Sequence, residues 1–298
     1  LPAGAIAIAA WLVARYRSDL AAARSRLAEV DRRVVSTGWG RLEYAERGSG
    51  EPLLVIHGIF GGCDAGLLGV RDLCPDRRVI APSRFGYLGS SMPAGATPAD
   101  QADALAALLD RLGIDAIDVI AVSAGATSAL ELAVRHPERV KHLAVLVGNV
   151  PGSPTAVAQP AWAKLTDGPL PIWMLKTFLP SVMTRLAGVP SSYPMTEQDA
   201  RSVAEFLDSM FPMRPRVEGV IFDAFVSNAA VESCALEAIR APTLLVHTAD
   251  DPLASHAASR RAAERIPGAR FLSLESGGHL MLGQADVVRD GLGEFFAG

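Results

Sequence analysis

Short apolar runs alternate with helical patterns along most of this chain, and that alternation leaves few folds open to it. Pro52 to Ile56, Arg78 to Pro82, Ile117 to Val122, His142 to Val147, Pro242 to His247 and Arg270 to Leu274 read as strands. A run that is apolar at successive positions needs cover on both faces, which is the condition of a strand inside a parallel sheet. Gly40 to Glu46 adds an alternating strand, closed by the turn Gly48-Ser49-Gly50. Between the strands lie helices: one ending near Leu73, Pro98 to Leu112 with Thr97 as cap and Gly113 as stop, Thr127 to Arg135, Ala254 to Arg265, and Ala285 to Phe296. Strict alternation of this kind predicts an α/β fold, with a mostly parallel central sheet and helices on both faces. The 298 residues suit one large domain carrying an insertion.

The alternation breaks after Asn149. From Pro151 to about Leu236 there is no clean strand, only helical patches at Trp162 to Leu165, Ile172 to Leu186, Glu197 to Met210 and Val217 to Ala230, separated by prolines. Trp162, Trp173, Met174, Phe178, Met183 and Phe206 make this stretch greasy. The pattern predicts a helical cap over residues 151–236, inserted late in a core made of residues 37–150 and 237–298.

Residues 1–36 read as an N-terminal hydrophobic helix. Leu1 to Ala14 carries no charge and is followed by Arg15, Arg17, Arg24, Arg26, Arg32 and Arg33, the arrangement of a membrane anchor with a positive cytoplasmic flank. The apolar run is shorter than the about 20 residues a span requires. A packing helix, on the body or on a second subunit as a homodimer, is the competing expectation, because Ile6, Ala9, Val13, Tyr16, Leu20, Ala23, Leu27, Val30 and Val34 keep a heptad-like seam. A signal peptide fits poorly, since the positive charges follow the apolar run. The anchor reading places the catalytic domain on the cytoplasmic side of a membrane; without an anchor, the chain is expected to be cytoplasmic.

Charge narrows the partners. With 28 basic and 32 acidic residues the net charge is −4, and no basic stripe marks a nucleic-acid surface. Cys63, Cys74 and Cys234 lack metal-ligand spacing and are odd in number, so neither a zinc site nor a disulfide framework is indicated.

The chemistry centres on Ala121-Val122-Ser123-Ala124-Gly125, where a buried strand turns into a helix with a serine at the bend. Small neighbours suit such a turn because strand and helix approach closely there. A serine hydroxyl needs a base to take its proton as it attacks a carbonyl, and imidazole has a suitable pKa. His279, in the flexible Gly277-Gly278-His279 loop, is the candidate base, and a carboxylate from Asp250-Asp251-Pro252 is the candidate orienting acid. The oxyanion formed by attack needs backbone N–H donors, expected from Ala124, after the nucleophile, and from Ile59, after His57-Gly58.

These four motifs in this order resemble the α/β-hydrolase fold family, and the resemblance runs from about Gly40 to the end. Ala121 and Thr248 stand where that family usually has glycine. Counting from Thr248, the resemblance favours Asp251 over Asp250 as the acid, with Asp250 as the alternative. It implies no cofactor and no metal, a structural role for His57, and a structural role for Arg84 in Ser83-Arg84-Phe85-Gly86-Tyr87. His136, His142, His247 and His256 are expected at the surface or in packing. Ser123 as a mere helix N-cap is the bland alternative.

The activity expected is hydrolysis of a carboxylic ester with an apolar acyl or alcohol part, through an acyl-Ser123 intermediate under the greasy cap. The same residues would serve a C–C, amide or lactone hydrolase or a perhydrolase. A non-catalytic ligand-binding protein on this fold is the alternative from another class.

Overall fold

The apolar runs assemble into one eight-stranded sheet in the computed structural model, which describes residues 3–153 and 169–298. Its strands are β1 (Arg32–Thr37), β2 (Gly40–Arg47), β3 (Pro52–Ile56), β4 (Arg78–Pro82), β5 (Ile117–Val122), β6 (Val140–Leu146), β7 (Thr243–Thr248) and β8 (Arg270–Leu274). They lie in the order β1-β2-β4-β3-β5-β6-β7-β8. The pairings of β2 with β1 and with β4 are antiparallel, and every pairing from β4 to β8 is parallel.

The helices are α1 (Ala3–Glu29), α2 (Cys63–Gly69), α3 (Pro98–Leu112), α4 (Gly125–Arg135), α5 (Pro169–Phe178), α6 (Pro180–Leu186), α7 (Glu197–Ser209), α8 (Val217–Phe222), α9 (Asn228–Ala230), α10 (His256–Arg265) and α11 (Ala285–Ala297). Side chains of successive strand residues point to opposite faces, and both faces are covered. Leu54, Ile56, Val119, Ala121 and Val145 pack with residues of α3, α4 and α10, such as Leu105, Leu130 and Ala262. Leu53, Val55, Ile120, Ala144 and Val246 face the other way, onto Val288, Leu292 and Phe295 of α11. Thr97 caps α3 through a reciprocal pair of bonds with Asp100, and Gly113 ends it at φ 67°, a left-handed conformation that suits glycine.

The N-terminal helix is shorter than residues 1–36. It ends at Glu29, and Arg32–Thr37 pair with β2 as an antiparallel hairpin closed between Thr37 and Gly40. The β-branched run Val34-Val35-Ser36-Thr37 favours the pleated conformation, so Val34 leaves the heptad seam. The rest of that seam divides. Tyr16 and Ala23 pack on the helical insertion, with Tyr16 edge-on to Trp173 at 5.1 Å and Asp19 accepting the Trp173 indole N–H at 2.9 Å. Ile6 and Val13 stay exposed. Among the described residues, no helix is long and apolar enough to cross a membrane.

The chain between β6 and β7 holds α5 to α9, as a late helical insertion. Ile172 to Leu186, expected as one helix, is two, because Pro180 forces Leu179 out of the helical region. Val217 to Ala230 contains a π-helical turn at Asp223–Ser227 between α8 and α9. The patch expected at Trp162 to Leu165 lies outside the described residues.

Two buried arginine pairs tie the insertion to the core. Arg84, in the loop after β4, donates to Asp223 through both terminal nitrogens at 2.6 and 2.5 Å, and both side chains are fully buried. Tyr87 donates its hydroxyl to the same carboxylate at 2.5 Å. Arg216 at the start of α8 binds Asp64 at 3.0 and 2.6 Å and also donates to the Gly61 carbonyl. A buried pair adds little net stability, yet removing one partner leaves an uncompensated charge. Asp223→Ala is therefore expected to destabilise the fold by about 3–5 kcal/mol, read from urea melts, and Arg84→Met in the same chain to restore much of the loss. Equal midpoints for wild type and Asp223→Ala would show that the pair does not hold the insertion down.

Candidate active site

β5 delivers Ser123 at the centre of the sheet, between β3 and β6. Its backbone is left-handed, at φ 52°, a conformation that costs energy for a non-glycine residue and persists only where its surroundings enforce it. The enforcement is visible. The Ser123 N–H donates to Leu146 of β6, and its carbonyl accepts from Ala126 and Asn149, all at 3.0 Å. Gly125 is required at the next turn: a Cβ there would sit 2.5 Å from the Ile56 carbonyl oxygen and 2.6 Å from that of His57. Ala121 is fully buried and is accommodated where a smaller residue was expected.

The loops after β7 and β8 bring the other groups to this turn. His279 Nε2 lies 2.8 Å from Ser123 Oγ, and its Nδ1 lies 2.7 Å from Asp251 Oδ2. The Asp251 carboxylate is wholly buried. Its Oδ1 accepts the Leu253 and Ala254 N–H groups at 2.8 and 3.1 Å. Burial alone would raise its pKa, but the hydrogen bonds from His247 and His279 outweigh burial and hold it well below the usual carboxylate range. Asp250 points elsewhere and accepts from the Gly277 and Gly278 N–H groups at 3.2 and 2.9 Å, which shapes the histidine loop. The insertion reaches this loop too, since the His279 N–H donates to the Gly188 carbonyl at 2.8 Å.

The loop after β3 passes over the serine. A Cβ on Gly58 would stand 3.1 Å from Ser123 Cβ and 3.7 Å from its Oγ, so the segment leading into Ile59 passes close against Ser123. Ala124 opens α4 immediately after it. Phe60 and Leu280, next to Ile59 and His279, belong to the same apolar cluster as Trp173, Met183, Phe211 and Met213 of the insertion.

His57 serves structure, as expected. Its Nε2 accepts the Arg84 N–H at 3.0 Å and its Nδ1 lies 2.7 Å from the Gly58 carbonyl, so one neutral tautomer satisfies both contacts. Arg84 is structural as well, through Asp223. Cys63, Cys74 and Cys234 are buried thiols pushed up to about 12, 11 and 12 by burial, which disfavours a thiolate nucleophile at neutral pH.

His247, expected at the surface or in packing, is a packing residue that makes one further contact. It is fully buried, and its Nε2 lies 3.0 Å from Asp251 Oδ2, the oxygen that also faces His279. Its spacing of four residues from Asp251 was the available signal, but a strand residue followed by an irregular loop carries no rule that would turn that spacing into a contact.

A family model described as alpha/beta hydrolase fold matches residues 51–286. The chain belongs to the α/β-hydrolase fold family. It is 31% identical over 257 residues to a 2-hydroxymuconate semialdehyde hydrolase of Pseudomonas putida, covering 84% of this chain and 88% of that one. It is likewise 31% identical over 254 residues to the uncharacterized hydrolase YcgS of Bacillus subtilis strain 168, covering 81% and 89%. Among solved structures, an alpha/beta hydrolase fold protein from Nakamurella multipartita superposes with a TM-score of 0.77 at 30% identity, over 89% of this chain and 98% of the other. This α/β-hydrolase is thus a hydrolase by family.

Burial first, and the Arg84 charge second, hold His57 well below its ordinary value of 6.5. The unfolded chain binds this proton and the folded one does not, so stability is full above that ordinary value and is lost as pH falls toward the folded pKa. Urea midpoints measured from about pH 7 to about pH 5 should fall with a contribution of up to about 1.4 kcal/mol per pH unit from this ring. His57→Gln should flatten that dependence, and an unchanged slope would remove His57 as its source.

Proposed function

We propose that this protein is a serine hydrolase that cleaves a carboxylic ester with an apolar acyl or alcohol part. One observation carries the reading: the unbroken chain from Ser123 Oγ to His279 Nε2 at 2.8 Å and from His279 Nδ1 to Asp251 Oδ2 at 2.7 Å. In this mechanism Ser123 Oγ attacks the ester carbonyl while His279 takes its proton. Asp251 keeps Nδ1 protonated and stabilises the imidazolium. The Ile59 and Ala124 N–H groups hold the oxyanion. His279 then gives the proton to the leaving alcohol, and a water deprotonated by the same imidazole releases the acid. Residues 151–236 act as a cap over a core of residues 37–150 and 237–298, and the apolar cluster from Phe60 and Leu280 into the cap supports a substrate with an apolar part.

A second reading keeps the residues and changes the bond. The relative of Pseudomonas putida is a 2-hydroxymuconate semialdehyde hydrolase, which favours C–C hydrolysis as the runner-up. A fluorophosphonate probe should label wild type at Ser123, and labelling should vanish in Ser123→Ala and drop by at least about a hundredfold in His279→Ala. Labelling that survives His279→Ala sinks the mechanism. Turnover of p-nitrophenyl esters of short and medium chain then supports the ester reading, whereas inactivity on all of them alongside cleavage of 2-hydroxymuconate semialdehyde supports the runner-up.

We further propose that the hydrolase works at an anionic lipid surface. The first turns of α1 expose apolar residues on several sides, with Ile6, Ile8, Trp11 and Val13 each about half exposed, at 48–62%. A helix that is apolar all round suits an apolar medium better than water. Arg15 and Arg17 follow at one end, as basic residues do beside lipid headgroups. Trp11 meets Phe178 at 6.3 Å, which joins this surface to exposed Met174, Phe178 and Leu179 of the cap. The protein should float with phosphatidylglycerol vesicles. Ile6→Glu with Ile8→Glu should abolish flotation without changing probe labelling. Wild type left at the bottom of the gradient in low salt overturns the proposal, as does a dimer that protects these residues.

A further inference from the structure

We propose that His247 is a positioning residue, a second imidazole that fixes the carboxylate of Asp251 so that His279 is aimed at Ser123. The inference rests on the reading of Ser123, His279 and Asp251 as nucleophile, base and acid. Two acceptors face His247 Nε2, namely Asp251 Oδ2 at 3.0 Å and the Ala254 carbonyl at 3.3 Å, so that nitrogen carries the hydrogen. Its Nδ1 lies 2.7 Å from the hydroxyl of Ser259, a buried residue of α10, and accepts from it. The tautomer of the second imidazole is thereby set from behind by a helix of the core.

The consequence is geometric. Leu253 and Ala254 hold Asp251 Oδ1 through their N–H groups, while His247 and His279 share Oδ2. With four donors on two oxygens the carboxylate plane has no freedom to turn. The direction of His279 Nδ1, and so of Nε2 toward Ser123, follows from that plane. Without His247, Oδ2 would be held only by the imidazole it is meant to orient. His247 also has an electronic effect, since its hydrogen bond draws negative charge from the oxygen that stabilises the His279 imidazolium. The titratable groups facing His247 are Asp251 and, ring to ring at 6.1 Å, His256 of α10.

The test is the rate of fluorophosphonate labelling at Ser123 as a function of pH, which needs no knowledge of the substrate. His247→Met should slow labelling roughly tenfold to a hundredfold, the worth of one hydrogen bond to a charged group. Its acid limb should move to higher pH, because an Asp251 relieved of one donor favours the imidazolium more. His247→Gln, which can still donate an N–H to Oδ2, should recover most of the rate and return the limb toward wild type. Ser259→Ala leaves the imidazole in place and should shift rate and limb in the same direction by less, so it keeps the inference testable if His247→Met does not fold. Folded variants that label at the wild-type rate with an unmoved acid limb overturn the inference. If wild type labels and requires His279 while His247→Met makes no difference, this inference alone fails. If wild type does not label at all, the reading beneath it has failed.

Discussion

The left-handed backbone of Ser123 is the constraint on which the rest of this structure depends. A non-glycine residue at φ 52° is held there by three backbone hydrogen bonds to β6, α4 and the segment after β6. The close approach of β3 to α4 at Gly125 forces the chain to make the turn in so little space. Strain of this kind survives only inside a framework stiff enough to impose it. The doubly covered sheet supplies that stiffness, with one apolar layer of α3, α4 and α10 and another around α11. The turn leaves Ser123 half-buried at the end of β5, its hydroxyl 2.8 Å from His279 Nε2, with the first turn of α4 beside it.

Around that fixed point the other groups are placed by contacts that are mostly polar and mostly hidden. Arg216 grips the loop after β3 at Gly61, and Arg84 bonds the His57 carbonyl at 2.9 Å while pairing with Asp223. The two arginines thus link the helical insertion to both ends of the loop that carries Ile59. Gly188 of the insertion accepts the His279 N–H. The insertion is therefore bound into the loops that carry the site. Its buried charges belong to the same network, and a change in one of them reaches the site through the backbone of His57 to Gly61.

Much of this was legible beforehand, for reasons that particular residues make plain. β3, β4 and β5 begin and end where the apolar runs do, because a strand buried on both faces leaves a continuous signal in the sequence. Thr97 and Gly113 bracket α3 through local chemistry that involves only neighbours along the chain. Ser123, His279 and Asp251 meet because each follows a strand, and strand ends on one edge of a parallel sheet converge. The misses have a common cause. The end of α1 at Glu29 depends on β2 being available as a partner for Arg32–Thr37, and the roles of Asp223 and Arg216 depend on partners 139 and 152 residues away. A pairing across such a distance leaves no periodic trace.

The sequence by itself determined the strand and helix alternation, the turn at Ser123 and the placing of Asp251 and His279 after later strands, because these rest on local propensity and on apolar pattern. Only the tertiary structure shows which of Asp250 and Asp251 faces His279, since adjacent carboxylates differ in the direction their loop gives them. Asp251 points at His279, and Asp250 at the backbone of Gly277 and Gly278. The tertiary structure also turned His247 from a residue of a buried strand into a partner of Asp251. That outcome required β7 to return its chain within four residues, which the sequence records as spacing and only the folded loop converts into a hydrogen bond.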